Sequence, residues 1–325
     1  MNTRPKTVSI LALIILGVGG FFLLEKKFNF TETNKKKPST NQISLAIKAE
    51  NLTPVPPYLL PVTESNYLPL RDWNIPDLNL EAKAVVAYDI RSGKYLFVRG
   101  LEEKLPIASL TKLMTAVVIW ENLKLDTVVE VTKESLNKTR SLEGNSDLSI
   151  GESLSVLDLL RLMLIKSSND AAYVLEHESN SEGTDVLDKM NKLASSLGMN
   201  NTNFLDVAGL NDNGFSSVGD LVLLIKHSLN YEGIYEILRT ENDTIPSLDG
   251  RVSHQIFNTN KLLSFLKNVI GGKTGYTDVA LGNILLVVKA PDGNDDIISI
   301  ILGSEDRFTE MRKLVEWFQK AYRWE

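Results

Sequence analysis

Apolar and polar residues alternate in two parts of the chain that lie far apart in sequence. Alternation with a period of two predicts β-strands, and a short turn between two such runs predicts a hairpin. The runs and their turns are residues 82–88, 91–94 and 95–99, and then residues 283–289, 291–293 and 297–302. The glycine-rich segment 271–275 is expected to begin a further strand just before the second hairpin.

Between these two parts the apolar residues recur at helical spacing. Ser155 with Asp158 three residues later resembles a capping box, and Gly198 is typical of the residue that ends a helix. The predicted helices cover residues 109–122, 156–165, 170–178, 185–197, 220–229 and 309–322. Strands near both ends with helices between them predict an α+β fold, with an antiparallel sheet and a separate helical lobe.

The N-terminal segment differs from the rest of the chain. Residues 8–24 are apolar apart from Ser9 and follow Arg4 and Lys6. This length is at the lower limit for a membrane span, which needs about 17–25 residues. We therefore expect a cytoplasmic tail at residues 1–7 and a single-pass membrane anchor at 8–24, with the remainder outside the cytoplasm. The alternative is a signal segment that is cleaved near Gly17-Val18-Gly19, which would release a secreted protein.

Composition divides the remaining chain into two parts. Residues 25–75 are rich in Thr, Asn, Lys and Pro, which predicts a linker or loosely packed arm. Residues 76–325 are expected to form the main folded domain, with the helical lobe at about 120–235.

Charge and residue usage exclude several classes of function. The 325-residue chain has a net charge of −6 and no cysteine. An acidic chain lacks the basic surface that binds nucleic acid, and a chain without cysteine has no disulfide, thiolate zinc site or cysteine nucleophile. His177, His227 and His254 are scattered without the spacing of a metal motif. We therefore expect no metal and no cofactor.

Three short motifs occur in a fixed order. They are S-x-x-K at Ser109 to Lys112, S-x-N at Ser167 to Asn169, and K-T-G at Lys273 to Gly275. S-x-x-K and S-x-N each recur elsewhere in the chain, whereas K-T-G is unique. The interval between the first and third motifs is long enough to build a helical subdomain. Together the motifs are the signature of active-site serine enzymes that act on penicillin and on cell-wall peptides.

The first motif suits nucleophilic catalysis. Ser109 and Lys112 are three residues apart on a predicted helix, so their side chains share one face. A serine hydroxyl needs a base to take its proton. A lysine serves as that base when burial or a neighbouring cation, here a candidate role for Lys273, lowers its pKa. Taken alone, the motif favours a surface helix that carries a solvated lysine, because isolated matches of this kind are often accidental.

The other two motifs also have alternative interpretations when each is taken alone. Ser167 and Asn169 follow an apolar helix, where a hydroxyl can relay a proton and an amide can hold a peptide bond. The same residues also suit a helix C-terminus followed by Asp170 as the next N-cap. Lys273 and Thr274 are suited to binding a carboxylate. The same residues would also be ordinary in an edge strand beside a glycine turn. The joint occurrence of all three motifs favours the catalytic interpretation.

The chain resembles the serine D-alanyl-D-alanine carboxypeptidases, which are the low-molecular-mass penicillin-binding proteins. Residues 105–116 match the nucleophile segment of this family almost throughout, and the resemblance covers about residues 80–324. Further landmarks are Ser167 to Ala172, Met190-Asn191, Leu197 to Met199 with Phe204, Gly209-Leu210, and Gly272 to Thr277. The resemblance implies a β-lactamase and penicillin-binding-protein-like transpeptidase fold, in which terminal helices flank the sheet.

The resemblance also implies a role for each matching position. Ser109 would form the acyl-enzyme, with Lys112 as its base and Ser167 as a proton relay. Asn169 would line the cleft from the helical lobe. The remaining implied groups are Lys273, Thr274 and Gly275 for the terminal carboxylate, the backbone N–H groups of Ser109 and Tyr276 for the oxyanion, and Arg307 as a second carboxylate contact. The substrate would be a peptidoglycan stem peptide that ends in D-Ala-D-Ala, and β-lactams would be covalent inhibitors.

The chain departs from the family pattern in two places. Ala280 is followed by Leu281 where the family usually has Ala-Gly, which is expected to alter strand packing near the site. The chain also ends soon after its last predicted helix, so we expect no C-terminal β-domain, and we expect the N-terminal segment to serve as the anchor.

Several other functions remain open at this point. A D,D-endopeptidase would use the same residues on cross-linked peptides, and a β-lactam sensor would be acylated without turnover. A β-lactamase needs a separately placed Glu and Asn for deacylation. The pair Glu176 and Asn180 lies on the same predicted helix as Asn169, where it is misplaced for that role.

Overall fold

The computed structural model describes residues 68–143 and 146–324, which belong to one compact unit that spans Pro61–Glu325. The predicted anchor at 8–24 and most of the predicted linker lie outside the described residues. Within the described residues, none of the helices combines the length and the apolar character that crossing a membrane requires.

The described residues form eleven strands and eight α-helices. The strands are β1 (Leu70–Arg71), β2 (Ala84–Asp89), β3 (Tyr95–Arg99), β4 (Val128–Glu130), β5 (Ser153–Ser155), β6 (Asn242–Pro246), β7 (Ser253–Phe257), β8 (Val269–Thr277), β9 (Leu281–Lys289), β10 (Asp296–Ser304) and β11 (Tyr322–Arg323). The helices are α1 (Thr111–Asn122), α2 (Lys133–Glu143), α3 (Val156–Arg161), α4 (Asn169–Ser181), α5 (Val186–Ser196), α6 (Val218–Ser228), α7 (Glu232–Arg239) and α8 (Arg307–Ala321).

The central sheet is antiparallel and has five strands in the order β3-β2-β10-β9-β8. Both predicted hairpins are present, as β2–β3 and as β9–β10, and β10 pairs with β2 so that the two ends of the domain meet. The α+β prediction is therefore confirmed. The strand that contains K-T-G, β8, lies at one edge of the sheet.

Alternate residues of the sheet pack into two separate cores. Val85, Ile284 and Ile301 pack against Phe318 and other apolar residues of α8 on one face. Their neighbours in sequence, such as Val86 and Ile300, join a larger core with the helices of the lobe on the other face. Each fully buried aliphatic side chain contributes about 1.5–3 kcal/mol, so these two cores hold the edge strand β8 in place.

The capping-box pattern at Ser155 correctly predicts where α3 begins. Ser155 accepts a hydrogen bond from the backbone N–H of Asp158 at 3.0 Å and caps α3. The predicted helix 156–165 changes character after Arg161, because residues Leu162–Lys166 form a π-helical turn. Such turns are frequent at functional sites, and this one ends at Ser167.

The predicted linker or arm extends to residue 75, and the part of it that the structure describes packs against the domain. Leu70–Arg71 already pairs with Tyr322–Arg323 as a two-stranded sheet. The guanidinium of Arg71 also donates to the carbonyl of Ile75 at 2.7 Å and lies 5.0 Å from the ring centroid of Trp317. These contacts with the C-terminal segment fix residues that composition alone assigned to a linker.

Candidate active site

Ser109 lies in a short 3-10 turn, Ala108–Leu110, that leads directly into α1. The α-helix therefore starts two residues later than predicted, but the tighter 3-10 turn still brings the side chains of Ser109 and Lys112 together. The Nζ atom of Lys112 donates to the Oγ atom of Ser109 at 3.0 Å. Lys112 is completely buried (0% exposed), which excludes the surface-helix interpretation.

Lys112 also joins the first motif to the helical lobe. Its Nζ atom donates to Oδ1 of Asn169 at 2.6 Å and to the carbonyl oxygen of Ala208 at 2.7 Å. Asn169 begins α4 and carries the second motif, so these two motifs share one hydrogen-bonding centre. Both acceptors are neutral oxygens, which hold an amine in place without the charge of a carboxylate.

The loop that supplies the carbonyl of Ala208 is held by Asp206, which the sequence analysis missed. The carboxylate of Asp206 accepts hydrogen bonds from the backbone N–H groups of Ala208 at 2.7 Å, Gly209, Leu210 at 3.3 Å and Asn211 at 2.6 Å. Aspartate commonly orders a following turn in this way, so the Asp-x-x-Gly pattern was the available signal.

Gly209 lets this loop lie directly against the 3-10 turn that carries Ser109. A Cβ atom at Gly209 would lie 1.9 Å from the carbonyl oxygen of Ala108, and the φ of Gly209 is +78°. Asn283 of β9 holds the same segment from the sheet side, because its Nδ2 donates to the carbonyl of Pro106 at 2.9 Å. The position of Ser109 is therefore fixed by both the lobe and the sheet.

Ser167 adopts a left-handed backbone, with φ +67° and ψ +31°, at the end of the π-helical turn. The sequence allowed this residue as a helix C-cap, with Asp170 as the next N-cap. The N-cap is instead Ser168, whose side chain accepts from the backbone N–H of Ala171 at 3.1 Å. The left-handed backbone is strained for a residue with a Cβ atom, and such strain clusters at functional sites.

Lys273 of β8 reaches from the sheet to this second motif. Its Nζ atom donates to Oγ of Ser167 at 2.9 Å, and its side chain is only 1% exposed. Burial, followed by the nearby charges of Lys112 and Arg307, holds the pKa of the Lys273 ammonium well below its usual value of 10.5. All three motifs therefore meet at one site, and Lys112 and Lys273 are close enough to affect each other electrostatically.

Thr274 has a partner that the sequence analysis missed. Its hydroxyl is hydrogen-bonded to the hydroxyl of Thr259 at 2.7 Å, and the backbone N–H of Thr259 donates to the carbonyl of Ile165 at 3.1 Å. Thr259 thereby links the K-T-G strand to the π-helical turn. Nothing in the local sequence distinguishes Thr259, because the contact joins segments that are far apart along the chain.

Gly275 and Tyr276 continue β8 past Ser109. A Cβ atom at Gly275 would lie 2.9 Å from both the backbone nitrogen of Ser109 and the carbonyl oxygen of Ile107, so only glycine allows this approach. Tyr276 follows with its side chain 57% exposed. Because β8 is an edge strand, one side of its backbone faces away from the sheet, as the predicted oxyanion site requires.

Arg307 is the first residue of α8, and the structure brings it to the same region. Its guanidinium lies 5.9 Å from the ring centroid of Tyr276 and 4.7 Å from that of Phe308. Its Nε atom is buried and has no hydrogen-bond acceptor among the described residues, and burial lowers the pKa of the guanidinium. The site thus brings together three basic side chains, which suits an anionic ligand group.

Other predicted features lie outside this cluster. Glu176 is bound through its Oε2 atom by Nζ of Lys138 at 2.6 Å, so it joins α4 to α2. His254 is hydrogen-bonded to Glu152, and the ring of His227 packs edge-on against that of Tyr231. In the described part of the chain, no group of three or more His, Asp or Glu side chains is arranged to hold a metal ion.

The arrangement defines a class of protein, the active-site serine enzymes that carry S-x-x-K, S-x-N and K-T-G between an antiparallel sheet and a helical lobe. The family model described as Peptidase S11, D-alanyl-D-alanine carboxypeptidase, matches residues 73–306. This chain therefore belongs to the S11 peptidase family.

Curated relatives carry related names. The chain is 30% identical over 252 residues to D-alanyl-D-alanine carboxypeptidase DacF of Bacillus subtilis, an alignment that covers 76% of this chain and 64% of that protein. It is 35% identical to DacC of Escherichia coli, over 74% of this chain and 61% of that protein. It is also 33% identical to a D-alanyl-D-alanine endopeptidase of Haemophilus influenzae, over 64% and 70% of the two chains. The chain thus spans less than two thirds of the first two relatives.

Solved structures show the same fold. A variant of the Streptomyces K15 DD-transpeptidase matches with a TM-score of 0.69 and 25% identity, over 74% of this chain and 99% of that chain. Penicillin-binding protein D2 of Listeria monocytogenes, in its ampicillin-bound form, matches with a TM-score of 0.63 and 29% identity, over 75% and 99%. The penicillin-binding-protein-like fold that the resemblance implied is therefore confirmed.

Proposed function

We propose that this chain is a serine D-alanyl-D-alanine carboxypeptidase that removes the terminal D-alanine from peptidoglycan stem peptides. The observation that carries this proposal is the 3.0 Å contact between Ser109 Oγ and Lys112 Nζ, at the point where the second and third motifs also meet. Membership of the S11 family supports the substrate class.

In the acylation step, Ser109 Oγ attacks the carbonyl carbon of the penultimate D-alanine. Lys112, as a neutral amine, takes the hydroxyl proton, because its Nζ atom is the base within reach of Ser109. Two buried ammonium groups repel each other, so the proximity of Lys273 favours a state in which one amine of the pair is neutral. The backbone N–H groups of Ser109 and Tyr276 stabilise the oxyanion.

The leaving D-alanine amine must receive a proton as the peptide bond breaks. Ser167 is the proposed relay, because Nζ of Lys273 donates to its hydroxyl at 2.9 Å where the three motifs meet. Water then attacks the acyl-enzyme and restores Ser109, while Asn169 positions the peptide from the helical lobe.

The terminal carboxylate is assigned to Lys273, Thr274 and Arg307, with Gly275 giving the substrate backbone room to approach. An arriving carboxylate favours the charged form of Lys273 and raises the pKa that burial has lowered. Substrate binding and protonation of Lys273 are therefore coupled. This coupling gives the site a preference for a free carboxylate over a neutral amide.

We further propose an extracytoplasmic location with residues 8–24 as a membrane anchor, and a cleaved signal as the alternative. Penicillins are expected to acylate Ser109, as the ampicillin-bound form of the Listeria relative suggests. The proposed catalytic domain is residues 76–325, extended at its start by the pairing of Leu70–Arg71.

The second candidate is a D,D-endopeptidase, which the name of the Haemophilus relative favours. It would use the same residues on a substrate that continues beyond the scissile bond. A non-turnover β-lactam sensor would also retain them. A β-lactamase function gains no support from Glu176, because the Glu176 carboxylate forms an ion pair with Lys138.

The test is release of D-alanine from a soluble stem pentapeptide, compared with the same peptide bearing a C-terminal amide. We expect release from the free acid only, and none with Ser109→Ala. Lys273→Ala is expected to lower kcat/KM for the free acid. Penicillin labelling without D-alanine release would refute the carboxypeptidase assignment, and cleavage of cross-linked dimers alone would favour the endopeptidase.

A further inference from the structure

Two phenylalanine side chains near the K-T-G strand are unusually exposed. Phe257, at the end of β7, is 69% exposed, and Phe265, in the segment leading to β8, is 73% exposed. Both border one pocket of about 330 Å³, which we call the aromatic pocket. Large exposed apolar side chains that share a concave site mark ligand-binding surfaces more often than scattered ones do.

Apart from Leu263, the rest of the pocket lining is polar and nearly neutral. Glu241 and Lys261 contribute opposite charges, and Asn242 and Asn260 contribute amide groups. Asn260 is only 2% exposed, its Oδ1 accepts from the backbone N–H of Leu262, and its Nδ2 has no acceptor among the described residues. The Asn260 amide is therefore buried behind the pocket wall, next to Gly272 of β8.

The aromatic pocket adjoins the carboxylate end of the catalytic site. A Cβ atom at Gly272 would lie 2.9 Å from Nδ2 of Asn260, and the neighbouring Thr259 is hydrogen-bonded to Thr274. Under the proposed roles, substrate runs along β8 from its carboxylate at Lys273 and Thr274 to its acyl carbonyl at Tyr276. The pocket therefore lies beyond the leaving D-alanine, away from the acyl part of the stem.

The chemistry of the pocket favours a neutral, polyhydroxylated ligand with a flat apolar face. Aromatic rings stack against the C–H face of a sugar, and amide and charged side chains bind its hydroxyl and acetamido groups. An acidic peptide or an anionic membrane surface would require an excess of positive charge, which Glu241 and Lys261 together do not provide.

We propose that the aromatic pocket binds an N-acetylated amino-sugar unit of a glycan strand next to the one that carries the substrate peptide. This inference rests on the proposed function, because that function makes the cell-wall polymer the substrate. Binding at this pocket would hold the enzyme on the polymer while its catalytic site processes a stem peptide.

The direct test uses the full chain and a peptide-free probe, the N-acetylglucosamine tetramer, with binding followed by calorimetry or NMR. Phe257→Ala and Phe265→Ala are each expected to weaken binding roughly tenfold, as loss of an aromatic anchor does. Leu248→Ala is the matched control, because Leu248 is also exposed (57%) and does not border the pocket. Absence of binding by the wild type, or equal binding by all variants, would overturn the proposal.

A kinetic comparison separates this inference from the proposed function. The two phenylalanine variants should release D-alanine from a soluble pentapeptide at the wild-type kcat/KM, but show a higher KM on pentapeptide-bearing glycan strands. A rise in KM for the soluble peptide would assign the pocket to the peptide and overturn the sugar assignment. If the tetramer binds and no substrate releases D-alanine, the proposed function fails while sugar binding stands.

Discussion

Strands β8 and β10 belong to the same sheet and are both nine residues long, but they serve different purposes. β10 lies in the middle between β2 and β9, and four of its residues are isoleucines. β8 lies at the edge and contains three glycines and a buried lysine. β10 supplies apolar packing. In β8, glycines allow other backbone segments to approach closely, and a lysine supplies a basic group, so β8 contributes less apolar packing.

The difference explains where the site is located. Glycine weakens a strand, and a buried lysine costs free energy through desolvation. β8 tolerates both because its partner β9 is almost wholly buried and aliphatic. A strand of this composition therefore depends on its neighbours for stability. The stability of the sheet and the proposed catalytic role of β8 can therefore be disturbed separately.

The largest effect on stability is expected from Ile300→Ala in β10. Ile300 is fully buried in the core shared with the helical lobe, so truncation should lower the free energy of unfolding by about 2–5 kcal/mol. Denaturant unfolding measures the loss, and Ile300→Val should cost about 0.5–1.5 kcal/mol. The comparison of the strands would be wrong if the folded Ile300→Ala protein lost as much activity as variants of β8.

Gly275→Ala in β8 should lower activity more than stability, which is the opposite of what is expected for Ile300→Ala. The added methyl group would lie 2.9 Å from the backbone of Ile107 and Ser109, so Ser109 must shift. Misplacement by about 1 Å costs on the order of 100-fold in rate, and we expect that loss in kcat/KM. Steady-state D-alanine release and thermal unfolding should be measured on the same preparation. Full activity would show that Ser109 does not depend on this approach.

The sequence correctly predicts those elements of the fold that depend on local residue patterns. Alternation identified both hairpins, and Ser155 with Asp158 correctly marked the start of α3. The pattern did not reveal the π-helical turn, the left-handed Ser167 or the Thr259–Thr274 contact. Each of these depends on packing between segments far apart in the chain, which no local periodicity encodes.

Lys273→Met should separate function from stability within β8. Replacing a buried amine with an apolar side chain of similar length is expected to stabilise the fold by about 1–2 kcal/mol while abolishing turnover. The lowered pKa of Lys273 means that the unfolded chain binds this proton more tightly than the folded chain. Wild-type stability should therefore rise with pH from the folded-state pKa of Lys273 up to 10.5.

Unfolding of wild type and Lys273→Met across neutral to alkaline pH measures both effects. The variant should lack the part of the pH-dependent rise that Lys273 contributes. A variant that is less stable than wild type at neutral pH would show that Lys273 supports the fold, contrary to the comparison.

The smallest expected effect is that of Leu281→Gly at the start of β9. Leu281 has a φ of +57°, in the left-handed region that favours glycine, at the position where the family pattern has Gly. Relief of this strain, about 1–2 kcal/mol, is partly offset by the greater freedom of glycine in the unfolded chain. We expect a modest rise in the unfolding temperature for Leu281→Gly, and none for Leu281→Ala. Destabilisation by glycine would show that the leucine side chain matters more than its backbone.

The most direct test of the central claim is to locate the covalent adduct that a penicillin forms with the intact chain. Mass spectrometry of the digested, labelled protein should place one adduct on the peptide that contains Ser109, and Ser109→Ala should remain unlabelled. An adduct on another residue, or labelling that persists in Ser109→Ala, would contradict the assignment of the nucleophile and of the site built around it.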